Sequence, residues 1–177
     1  MTTESLGLPA VAGATFNTPA GTTAYAANDI IADSSSGAAV NGFVFPVAVE
    51  KNDTVCISRA RIKTTDTGFA GKQVTLHLFR SKPTVVNGDN GALGNGTAGT
   101  YTQCTESDKL DAITFTFPSV ASSDGYYKAF AVPTNGTIIT QTALDSLNIY
   151  GLLECVAAAT PQGAKVWTCT LELLGRR

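Results

Sequence analysis

Apolar and polar residues alternate at a period of two over most of the chain, the spacing of half-buried β-strands rather than of helices. Residues 42–50 place Phe43, Phe45, Val47 and Val49 on one face. In 54–63, Val55 and Ile57 precede Arg59 and Arg61 on one face, and Cys56, Ser58, Ala60 and Ile62 take the other. In 72–80, Val74, Leu76 and Leu78 oppose Thr75, His77 and Phe79. Ile113, Phe115 and Phe117 alternate with Thr114 and Thr116 and stop at Pro118. The same reasoning predicts strands over 22–27 (closing at Ile30-Ile31), 126–132 and 136–142. It also predicts a terminal hairpin of 148–157 with 165–174 about the turn Pro161-Gln162-Gly163-Ala164. Pro46 cannot donate to a ladder and marks a sheet edge or a bulge.

About eight short strands separated by turn signals predict an all-β chain: a single two-sheet β-sandwich, jelly-roll-like, over residues 22–177. Residues 1–21, rich in Gly, Ala, Thr and Pro, show no sustained period and read as an extended N-terminal arm. A long break runs from about 81 to 108, with a Gly/Asn-rich centre over 87–99. A loop of that length in a compact domain is functional or flexible. At its end, 107–111 reads as one helical turn capped by Ser107.

Composition narrows the function. Of 177 residues, 44% are apolar, enough for one real core, and only 15% are charged. The balance is Thr, Ala, Gly and Ser, which gives a neutral, hydroxyl-rich surface. A net charge of −2 leaves no electrostatic footprint for nucleic acid. No stretch of about 18 apolar residues is present to span a membrane as a helix. The start has no basic segment followed by an apolar one, so no secretory signal is expected and synthesis in the cytoplasm is the default.

Candidate chemistry is sparse. His77, the single imidazole, sits mid-strand between Leu76 and Leu78, and no Gly-x-Ser-x-Gly elbow accompanies it. Glu154 with Glu172, or Asp108 with Asp111, are the carboxylate pairs a glycosidase reading would use, but the chain has one tryptophan, Trp167, to build a sugar platform. Asn87, Asp89 and Asn90 resemble a calcium loop in composition only, since no Glu follows before Glu106. No phosphate-binding glycine motif occurs. No catalytic, cofactor-binding or metal-binding residue is therefore assigned, and no enzyme is expected. Arg59, Arg61 and Lys63 are suited to an acidic partner surface, or are ordinary outward charges. Cys56, Cys104, Cys155 and Cys169 form no Cys-x-x-Cys pair. They read as buried small hydrophobes, except that the terminal hairpin brings Cys155 and Cys169 opposite each other as a candidate disulfide.

Three stretches carry a resemblance. The first runs Asn17-Thr18-Pro19-Ala20-Gly21-Thr22-Thr23-Ala24-Tyr25 through Asn28-Asp29-Ile30-Ile31-Ala32. The second is Leu76-His77-Leu78-Phe79-Arg80-Ser81-Lys82-Pro83-Thr84 with Asn87-Gly88-Asp89-Asn90. The third is Tyr150-Gly151-Leu152-Leu153-Glu154, then Ala157-Ala158-Ala159-Thr160-Pro161 and Thr170-Leu171-Glu172-Leu173-Leu174. In this order they resemble a family of small virion proteins of tailed phages, encoded near the major capsid protein. Where that pattern often carries an arginine and an aromatic, this chain has Val156 and Ala159. The resemblance implies a capsid decoration, or cement, protein on the virion surface. Its expected partners are the major capsid protein and copies of itself, a trimer being the simplest closed form. Phe43, Phe45, Tyr126 and Tyr127 are the largest candidate anchors, though most of them are expected in the core. The alternative expectation is a carbohydrate- or receptor-binding module of a tail or fibre, using the loops at one end of the sandwich.

Overall fold

The computed structural model describes residues 10–48, 50–93 and 108–174. The described chain is nearly all β. It contains β1 (Ala10–Asn17), β2 (Ile30–Ile31), β3 (Phe43–Pro46), β4 (Thr54–Thr64), β5 (Gln73–Phe79), β6 (Lys109–Thr116), β7 (Tyr127–Ala131), β8 (Ile138–Gln141), β9 (Asn148–Cys155) and β10 (Val166–Leu173). Two antiparallel sheets of five strands result. Sheet I has the order β1-β10-β4-β7, with β8 beside β4 in line with β7. Sheet II has the order β2-β9-β5-β6, with β3 beside β9 in line with β2.

Treating β2/β3 and β7/β8 as single broken strands leaves eight positions. They pair first with last, second with seventh, third with sixth and fourth with fifth. That nested pairing is a jelly roll. Pro46 lies in β3, at the edge of sheet II as expected.

The core lies between the sheets. Ile57, Ala60, Ile62, Cys169 and Leu171 of sheet I face Val74, Leu76, Ile113, Phe115 and Leu153 of sheet II, all buried. Trp167 closes one end, with Phe69 edge-on at 4.8 Å and Phe117 at 5.9 Å. The close aromatic pairs add to the burial energy of their large side chains.

Several expectations need correction. Residues 10–17 do not form a loose arm: β1 pairs with β10 over its full length, from Ala10↔Leu173 to Asn17↔Val166. Its inward residues, Ala12, Ala14 and Phe16, are mostly small, which makes the alternation faint. Residues 1–9 lie outside the described chain.

Residues 22–27 form no strand; Tyr25 alone makes a bridge, to Ala159. The terminal hairpin is absent. β9 and β10 belong to opposite sheets, and 156–165 arches between them. Cys155 and Cys169 are accordingly both free thiols. The turn expected at 107–111 gives way, from Lys109 onward, to the start of β6.

In β4 the pairing passes from Glu172↔Arg59 to Leu173↔Ile57, so Ser58 is an extra, bulged residue. A bulge shifts the phase by one. Val55 and Ile57 point inward before it, and Ala60, Ile62 and Thr64 point inward after it. The four apolar residues thus share the core face, and Arg59, Arg61 and Lys63 are turned to the outside.

Candidate docking face

On the outer side of sheet I the strand registers set side chains in three rows. Thr15, Thr168, Lys63 and Lys128 form the first; Gly13, Thr170, Arg61 and Phe130 the second; Val11, Glu172 and Arg59 the third. Glu172 bridges two guanidinium groups. Arg59 Nε donates to its Oε2 at 2.7 Å, and Arg61 Nε donates to its Oε1. The hydrogen bond from Arg59, with Arg61 adding to it, holds the Glu172 carboxyl below the usual glutamate range. One carboxylate cannot neutralise two guanidinium groups, so the cluster stays positive.

The first row sets Lys63 directly opposite Lys128, a like-charge pair across two strands. Tyr126 relieves part of this, with Lys63 Nζ 4.6 Å and Lys128 Nζ 6.0 Å from the ring centre. Asp124 also takes a hydrogen bond from Lys128 Nζ at 2.5 Å.

The face is apolar as well as cationic. Phe130 is 74% exposed, Ile139 73% and Val11 66%. A groove of about 480 Å³ runs across the middle strands, between the cations and Phe130 on one side and Thr168 and Thr170 on the other. Gly13 beside Thr170 leaves that flank low.

Sheet II is built oppositely. Its outward residues Ile30, Phe79 and Leu152 are covered by Ala32, Val40, Val85 and Leu93, and the whole cluster is buried. The stretch expected as a loose loop supplies much of this cover. Asp89 Oδ1 accepts from Tyr25 Oη at 2.8 Å and from Ala32 N at 2.9 Å. Asn90 Nδ2 donates to Thr23 O at 3.1 Å, and Asn87 Nδ2 to Ala92 O at 2.8 Å. Of these three side chains, read as a calcium-like composition, Asp89 and Asn90 tie the loop to the 23–32 segment and Asn87 braces the loop itself. The remainder, 94–107, lies outside the described residues.

The other candidates are dispersed. His77 Nε2 meets Glu154 Oε2 at 2.5 Å on the outer side of sheet II, and its Nδ1 is buried without a partner. Among the described residues, no hydroxyl or thiol hydrogen-bonds this ring. Glu154 and Glu172 stand on different sheets, each held by a basic side chain. Asp111 accepts from Asn135 N at 3.2 Å and Asn135 Nδ2 at 3.1 Å, tying down the turn before β8. Asp108 offers its carbonyl to Arg80 N at 2.7 Å. No group of three or more His, Cys, Asp or Glu among the described residues is placed to hold a metal, and no described helix is long and apolar enough to cross a membrane.

Of the anchors expected from sequence, Phe43, Phe45 and Tyr127 are core residues, and Tyr126 is half-buried under the lysines. The exposed anchors, Phe130 and Ile139, were not singled out. The signal lay in Tyr127-Lys128-Ala129-Phe130-Ala131, where Tyr127 fixes the inward phase and Phe130 falls on the other. No family model matches the chain, and the search of curated proteins returns no match.

Proposed function

We propose that this protein is a structural virion component that decorates the outside of a tailed-phage capsid shell and stabilises it. The observation that carries the reading is the contrast between the two outer faces. One is covered around Ile30, Phe79 and Leu152 by the chain's own loops; the other presents large apolar side chains and cations to solvent. Exposed apolar side chains interspersed with cations on a flat sheet suit the mixed make-up of a protein interface. A cement protein acts through contact area and shape, which suits a rigid two-sheet scaffold with few charges to desolvate. The resemblance of the three stretches to small phage virion proteins supplies the partner, the major capsid protein. A trimer over a local threefold axis is the simplest closed arrangement.

The test uses heads of the encoding phage from which this protein has been deleted. Purified protein should co-sediment with them in fixed ratio to the major capsid protein and raise the temperature at which they rupture. Failure of both would end the decoration reading. A few copies confined to a vertex or tail would move the protein to a fibre or connector.

A further inference from the structure

The charge on the outer face of sheet I is out of keeping with the rest of the chain. Among the described residues, Arg59, Arg61, Lys63 and Lys128 are four of ten Lys and Arg, whereas Glu172 and Asp124 are two of twelve Asp and Glu. The described face is therefore net positive, and the other described residues hold six cations against ten acids. Asp124 and Tyr126 offset the like-charged Lys63–Lys128 pair in part, and one carboxylate between two ammonium groups leaves this row net positive. The exposed Phe130 lies in the next row, opposite Arg61 and beside the groove.

We propose that this face docks an acidic protein surface. Partner carboxylates pair with Arg61, Lys63 and Lys128 along the groove, and Phe130 seats in an apolar recess between them. The proposal deepens the decoration reading and rests on it for the partner being the capsid shell.

Charge argues against the other occupants. A second copy meeting this face through a twofold axis would set positive against positive. A nucleic acid would run past three rows of side chains onto an acid-rich surface, and one exposed ring beside a lysine-clamped tyrosine is a poor stacking platform. Aliphatic Ile139 and Val11, flanking the cations, suit the mixed apolar and polar make-up of a protein interface.

The test compares wild type with Lys63→Gln/Lys128→Gln and with Phe130→Ser, on the deleted heads and on poly-L-glutamate. The double glutamine variant removes a repulsive pair but also the exposed Lys128–Asp124 ion pair and the lysine contacts with Tyr126, so its melting temperature should change little. Its affinity for heads should nevertheless fall about tenfold, with a shallower salt dependence. Phe130→Ser should also weaken binding without lowering the melting temperature. Poly-L-glutamate should shift amide resonances of β4, β7 and β10 in the wild type and not in the double variant.

If wild type and both variants bind heads equally, this proposal falls and decoration stands. If wild type ignores heads yet poly-L-glutamate marks the face, decoration falls and the acidic-partner face stands. No shift with poly-L-glutamate and no variant effect on heads overturns the proposal. So does tighter binding to a single-stranded oligothymidylate than to poly-L-glutamate, or a homo-oligomer that either variant dissociates.

Discussion

Asp89→Ala tests whether the 84–93 segment is pinned cover or loose loop. The Asp89 carboxylate accepts from Tyr25 Oη and from Ala32 N at ordinary hydrogen-bond distances. Hydrogen bonds to a charged group contribute about 1.5–3 kcal/mol each. Removing the acceptor strands a phenol hydroxyl whose residue is only 2% exposed, together with a backbone N–H. Part of that loss is offset, because burial pushes the Asp89 carboxyl above its usual range and the variant no longer confines it. A net cost of about 2–4 kcal/mol follows, a large share of the stability of a single domain. Tyr25→Phe removes one donor and should cost about 1–2 kcal/mol. In that background Asp89→Ala should cost less by about the worth of the shared bond, again roughly 1–2 kcal/mol. Urea unfolding followed by the fluorescence of Trp167, the single tryptophan and fully buried, reads all four proteins of the cycle. A cost for Asp89→Ala below about 0.5 kcal/mol, within the range of unremarkable surface changes, would refute the anchor. So would a calcium-dependent rise in wild-type stability that the variant abolishes, which would make Asp89 a metal ligand.

Three further outcomes follow from particular contacts. Gly68→Ala would place a Cβ 1.9 Å from the backbone oxygen of Thr160. Main chain yields little there, so a loss of at least about 2–3 kcal/mol is expected in the same urea assay, and a neutral result would contradict the packing. Burial pushes the Cys155 thiol up to about 11 and the fully buried Cys169 thiol higher still. Neither should react with a thiol reagent near pH 8 before unfolding, and mass spectrometry should find no bond between them. Burial also raises the Asp66 and Asp89 carboxyls above their ordinary range, whereas Lys128 draws Asp124 down to about 2 and Arg59 and Arg61 lower Glu172. The raised groups bind protons more tightly when folded, so their contribution is complete below the ordinary Asp value and is lost as pH rises through the folded one. The lowered groups contribute above the ordinary carboxylate range and lose that contribution as pH falls through their folded values. Melting temperature should therefore pass through a maximum at mildly acidic pH, and Asp66→Ala with Asp89→Ala should flatten the decline toward neutrality.

The sandwich was legible because most strands carry strong alternation: Phe43 with Phe45, Val74-x-Leu76-x-Leu78, and Ile113-x-Phe115-x-Phe117 declare their inward faces. What escaped has identifiable causes. β1 uses alanines where it packs, so its period is quiet. The turn residues 161–164 signal a reversal of direction, but a reversal serves a hairpin and an arch between sheets equally well. Only the nested pairing order separates the two. The bulge at Ser58 is invisible in local pattern, yet it decides that Arg59, Arg61 and Lys63 share the outside while both halves of β4 keep their aliphatics in the core. Asp89 looked like loop composition because its partners, Tyr25 and Ala32, lie more than fifty residues away in sequence. The docking face was half legible: its β4 cations were noted, and its apolar members depended on a phase that Tyr127 sets by tertiary packing.

The bareness of sheet I follows from connectivity. A long connection that leaves and re-enters the same sheet can fold back over that sheet's outer face without rounding an edge. The two such connections of any length, β2 to β3 and β5 to β6, both belong to sheet II, and their described parts supply Ala32, Val40, Val85 and Leu93 as its cover. Sheet I has only the short β7-to-β8 link, and its remaining connections cross to sheet II. Among the described residues, the fold order therefore places no long connection over the outer face of sheet I. Solubility alone would then favour polar residues at every outward position, as Thr15, Thr168 and Thr170 provide. Phe130 and Ile139 depart from that pattern beside a row of cations, and a water-facing sheet gains nothing from them. Under the proposed docking their cost would be recovered when a partner surface removes them from water, and the surrounding positive charge would favour an acidic one.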